Sequence, residues 1–138
     1  MILSFINKFR DLGLFILRLG LGLTFTIIHG YPKLAAGAEG WKKYGEAMKY
    51  LGITFYPEFW GFMSGFAEFF GGIILLTGLF FRPGMLLLII NMLVAFLSMY
   101  GRTGAINQTT YPLEILAVMI ALFFTGPGKY SLDERLFK

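Results

Sequence analysis

Cysteine is absent from the 138 residues of the chain. That excludes thiol–disulfide chemistry, thiolate zinc sites and iron–sulfur clusters ligated by this chain. There is one histidine, which excludes bis-histidine haem within a single subunit; His/Met ligation stays open, with seven methionines present. Charge is also scarce, at 14% of residues against about 25% in a soluble domain. So little charge cannot coat a water-facing surface. No basic, aromatic-interleaved soluble surface exists to hold nucleic acid. Ser–His–Asp spacing, a phosphate-cradling loop, a dinucleotide fingerprint and a metal-binding constellation are all missing.

What is present is apolar. Hydrophobic types make up 57% of the chain and aromatics 18%. The charges cluster between apolar blocks, the pattern of a membrane chain with short polar connections. We read one domain, 1–138, with spans at about 12–30, 60–81, 84–100 and 111–126. At about 1.5 Å rise per residue the first three can cross a hydrocarbon core of roughly 30 Å. The fourth is short and relies on local thinning or on neighbouring helices. Lys8 and Arg10 precede an apolar run, and Ala36-Gly37-Ala38 resembles a cleavage site. Arg18 interrupts that run, so the expectation is an uncleaved first helix.

The connections predict the architecture. Arg82-Pro83 is a tight break between the second and third spans, and a short polar loop, 101–110, precedes the fourth. The fold class expected is an all-α membrane protein: an antiparallel four-helix transmembrane bundle. Trp41, Tyr44, Met48 and Leu51 recur at helical spacing, with Lys42, Lys43, Glu46 and Lys49 on the other face. They predict a short interfacial amphipathic helix between the first and second spans. Six basic residues fall on the side of the termini and five on the other, which favours cytoplasmic termini.

Ionisable residues inside the spans carry the functional reading. A carboxylate in hydrocarbon is costly, so it turns to the bundle interior and finds a partner. Glu68 is the only charged residue between Phe59 and Phe81. Arg18 and His29 lie eleven residues apart, close to three helical turns, on one face of the first span. Helix rise places Arg18 and Asn91 at one level, Glu68 in the middle, and His29 and Glu114 at the other mouth. If Arg18 neutralises Glu68, then Glu114 is protonated, paired with His29 as imidazolium, or solvated at the interface. The candidate catalytic residues are His29, Glu68 and Glu114; the candidate ligand-binding residues are Arg18, Asn91 and Lys33. Gly61, Gly65 and Gly72 share a face with Glu68, which suits close helix packing or leaves room for a flat ligand.

These residues, in this order, resemble the DoxX family of small bacterial membrane proteins. The resemblance rests on Arg18, Gly20 and Gly22, then His29, Gly30 and Lys33. It continues through Glu68, Gly71, Gly72, Leu76, Gly78 and Arg82, and ends on Gly126, Pro127, Gly128, Leu132 and Asp133. Pro32 and Asn91 depart from the pattern. The resemblance implies a four-helix multi-pass protein of the bacterial inner membrane. One branch looks like the membrane subunit of thiosulfate:quinone oxidoreductase, and other members are associated with oxidative-stress complexes. A eukaryotic cargo-receptor relative and a receptor-assembly chaperone act without redox chemistry.

Two readings follow. In the first, the chain is a membrane subunit of a redox system, accessory or quinone-reducing. No cofactor is held within the chain; a quinone or other lipid-soluble molecule binds as substrate, and a soluble redox partner supplies electrons. In the second, it is a non-catalytic assembly, anchoring or transport factor. Both place the chain in contact with the lipid bilayer.

Overall fold

The structure, a computed structural model, describes residues 2–138 and is helical throughout, with no strand among the described residues. A 3₁₀ turn, Ser4–Phe9, leads into α1 (Arg10–Leu23), a π-helical stretch (Thr24–Gly30) and α2 (Tyr31–Ala35). Together these form one rod. Then come α3 (Gly37–Gly45) and a second 3₁₀ turn, Glu46–Leu51. α4 (Pro57–Thr77) and α5 (Phe81–Thr103) are the long helices. A 3₁₀ turn, Ile106–Gln108, precedes α6 (Thr110–Thr125), and a short α7 (Leu132–Leu136) follows.

Three helical stretches are long and apolar enough to cross a membrane: Ser4–Ala35, Pro57–Thr77 and Phe81–Thr103. Thr110–Thr125 is a shorter apolar helix. Their outer faces stay apolar. Ile16, Ile27, Ile90 and Phe124 are all exposed, Phe124 by 74%. A water-soluble monomer rarely shows apolar surface along every long helix; such surface suits acyl chains. Length and hydropathy together mark these helices as membrane-spanning.

Local sequence explains the ends and the irregularity. Pro57 begins α4, where a missing N–H costs nothing. Gly78 ends α4 at φ +70, with its N–H on the Ile74 carbonyl at 2.7 Å. A left-handed turn there needs a residue without Cβ. In the first rod, Pro32 removes a backbone donor. The π-helical stretch sits just before it, and Tyr31 N–H donates to the Thr26 carbonyl, five residues back. The rod therefore runs past its proline to Ala35, and Lys33 is helical.

Packing divides the molecule along α5. The core is Phe25, Leu75, Phe81, Met85, Leu88, Met92, Met119 and Leu122, all essentially buried. Its α4 and α5 members lie toward the α4–α5 turn. On the far side of Leu88 and Met92, α4 and α5 part around a half-open cavity instead, with exposed Phe59 and Ile90 at its rim. α3 and α2 seat on α4 over glycines: a Cβ on Gly61 would strike the Trp41 backbone, and one on Gly65 would lie 3.0 Å from Lys33 Cβ. Trp41 Nε1 donates to the Lys33 carbonyl at 2.9 Å and fixes α3 against α2.

The 126–133 segment closes the opposite end. Arg18 is fully buried there and donates to four backbone carbonyls. Nε reaches Leu75 at 2.9 Å, Nη2 reaches Leu76 at 3.2 Å, and Nη1 reaches Pro127 at 2.8 Å and Tyr130 at 2.9 Å. The acceptors at the end of α4 have no helical donor of their own. Asp133 accepts from Phe80 N–H at 2.7 Å and Phe81 N–H at 2.8 Å, capping α5 from 52 residues away. Asp11 accepts from Lys129 N–H at 3.1 Å.

Candidate functional site

Glu68 sits in the middle of α4, 4% exposed. Its partner is Lys33, brought to it by the continuation of the first rod into α2. Lys33 Nζ lies 2.8 Å from Glu68 Oε1 and also donates to Ser64 Oγ at 3.3 Å, one turn earlier on α4. Asn91 Nδ2, from α5, donates to the same Oε1 at 3.0 Å. The Lys33 ammonium stands 5.4 Å from the centre of the Tyr44 ring, a cation–π distance. One carboxylate oxygen thus gathers donors from two other elements.

The second oxygen has none. Glu68 Oε2 is buried without a hydrogen-bond partner among the described residues, and so is Ser98 Oγ on α5. A buried polar atom left unsatisfied costs about 1–3 kcal/mol, more when charged. Both residues line one cavity of about 390 Å³ between α4 and α5, roofed by the segment after α3. Its polar wall is Lys33, Ser64, Glu68, Asn91 and Ser98; its apolar wall includes Met48, Phe59, Met63, Leu87 and Val94. Mostly apolar lining with a few convergent polar groups is the make-up of a small-molecule site. A smaller opening of about 230 Å³, bearing Lys43, Lys49 and Arg102, shares Ala47, Ser98 and Met99 with it.

The ladder predicted from depth is rearranged. Glu68, Lys33 and Asn91 meet. Arg18 does not join them; its donors are spent on carbonyls at the other end of α4, and it lines no part of the cavity. His29 does not meet Glu114. His29 Nε2 shares a hydrogen bond of 3.1 Å with the Tyr111 hydroxyl, and its ring packs 5.7 Å from Phe25. Glu114 is exposed on α6 and pairs with no basic residue among the described ones. Arg18 faces α4 about two turns beyond Glu68, at Leu75 and Leu76, so depth keeps the two apart, while His29 meets α6 at Tyr111, three residues before Glu114.

Ser64, Ser98 and Tyr111 were not singled out from the sequence. Spacing carries a signal for two of them. Ser64 precedes Glu68 by one turn, and Ser98 follows Asn91 by two, so each repeats the face of a residue already marked.

The family model DoxX matches residues 13–101, more than half of the chain, including Arg18, Lys33, Glu68 and Asn91 but not Glu114. A protein of Bacillus subtilis (strain 168) named "Putative oxidoreductase CatD" is 25% identical over 132 residues, covering 96% of this chain and 92% of that protein. No solved structure matches.

Proposed function

The chain belongs to the DoxX family, and from that premise we propose that it is a membrane subunit of a redox system, binding a quinone-like, lipid-soluble molecule in the cavity at Glu68. The observation that carries this reading is a buried carboxylate with one oxygen free, set in a largely apolar cavity of about 390 Å³ between two long apolar helices. The name of the Bacillus relative supports the redox element.

In this reading Thr110–Thr125 is a fourth crossing, so the helices form an antiparallel four-helix transmembrane bundle. α3 lies at the interface, and its lysines meet headgroups. The termini are cytoplasmic and the membrane is the bacterial inner membrane. Electrons come from a soluble redox partner, because the ring site holds only proton-handling and hydrogen-bonding groups. Glu68 accepts or returns the ligand's proton, Lys33 balances its charge, and Asn91 orients it. Arg18 holds the fold and takes no part at the ring. His29 and Glu114 lie away from the cavity wall, so the proton work rests on Glu68.

The test uses the protein in lipid nanodiscs. A short-chain quinone should quench Trp60, which lines the cavity. Ala95→Phe, which fills the cavity, should weaken binding at least about tenfold while the protein stays folded, since an overfilled site excludes a ring. Absence of binding by the wild type, or equal binding by the filled variant, overturns the reading. A purified protein with no bound or binding quinone but a stable protein partner replaces it with an assembly or anchoring role.

A further inference from the structure

Resting on that reading, we propose that the cavity selects its ligand in the hydroxylated, hydroquinone form, one ring hydroxyl donating to Glu68 Oε2 and the other meeting Ser98 Oγ. The argument is one of donors and acceptors. Oε1 of Glu68 already takes hydrogen bonds from Lys33 and Asn91. Oε2 is buried and takes none. In its ion pair with Lys33, Glu68 is a carboxylate, whose oxygens only accept, so a ligand satisfies Oε2 only by bringing an O–H or N–H. A quinone carbonyl placed there sets acceptor against acceptor.

Ser98 supplies the second contact. Its residue is 6% exposed, its hydroxyl is unpartnered, and it lines the same cavity. It follows Asn91 by seven residues on α5, so it shares that face about 10 Å further along the helix. A six-membered ring with para hydroxyls, plus a hydrogen bond of about 2.8 Å at each end, is of comparable length. Between the two polar ends the walls are apolar, with Met63 and Val94 among them. That is the surface a ring face needs. A hydroxyl also donates or accepts, so Ser98 tolerates either form; the discrimination lies at Glu68.

The consequence is thermodynamic. A site that holds hydroquinone more tightly than quinone makes the bound quinone easier to reduce than the free one. Two electrons from the partner protein and two protons convert the one to the other, and the product remains the better ligand.

The experiment compares three rings on wild-type protein in nanodiscs under anaerobic conditions: a short-chain hydroquinone, its quinone and its dimethyl ether. Hydroquinone should bind at least about tenfold more tightly than the other two, because a site with a free acceptor rejects an analogue without the donor. Glu68→Gln should remove most of that preference. Ser98→Ala should weaken hydroquinone and quinone alike and leave their ratio unchanged, since the discrimination lies at Glu68. Quinone binding as tightly as hydroquinone overturns this inference and leaves the underlying reading standing. Failure of all three rings to bind removes the underlying reading and this inference with it.

Discussion

Lys33 and Glu68 form the one ion pair in which both partners are largely withdrawn from solvent among the described residues, with side-chain exposures of 23% and 6%. Removing one member leaves the other charge uncompensated. Lys33→Met should therefore destabilise the protein by about 3 kcal/mol, while Lys33→Met combined with Glu68→Gln should recover most of the loss. Denaturant unfolding in micelles measures the cycle; additive losses would show that the pair is not coupled. At this scale the sequence was half legible. Glu68, Asn91 and Lys33 are all nameable from their types and positions. Which cation answers Glu68 is not, because Arg18 and Lys33 sit on the same rod and only its continuation past Pro32 puts Lys33 in reach. The destination of Arg18 is a set of backbone carbonyls, and carbonyls leave no mark in a sequence.

Helical elements are legible because apolar runs bounded by Gly, Pro and charge name their own ends. Their rotation is less legible: a helix apolar on nearly every side gives no face to read. Glycines partly restore it, since Gly61 and Gly65 mark where α3 and α2 lie on α4. The amphipathic stretch expected between the first two spans resolves into α3 and a 3₁₀ turn, and its Trp41 reaches back to the end of the first rod at the Lys33 carbonyl. Caps supplied from afar are invisible in sequence. Asp133 closes the start of α5 by accepting from two backbone N–H groups. Asp133→Ala should cost about 0.5–2 kcal/mol, the range for loss of a helix cap, and Asp133→Asn less. Thermal unfolding followed by circular dichroism measures both; equal stability of Asp133→Ala and wild type would remove the cap from the account.

For the whole molecule, the absence of cysteine makes topology directly measurable. Single cysteines introduced at Lys42 and Lys129 report the two ends of the helices. With cytoplasmic termini, a membrane-impermeant maleimide should label the Lys42→Cys protein in intact cells and the Lys129→Cys protein only after lysis. The reverse pattern inverts the orientation. The positive-inside count, six against five, leans toward the first pattern. The guanidinium on the first rod takes two of its four acceptors from Pro127 and Tyr130, 109 and 112 positions downstream. While the ribosome is still translating, that cation enters the bilayer without them. Insertion of the opening segment is therefore provisional until the last stretch of chain arrives, and a stalled or shortened product should be recognised as unfinished by the membrane's quality-control proteases.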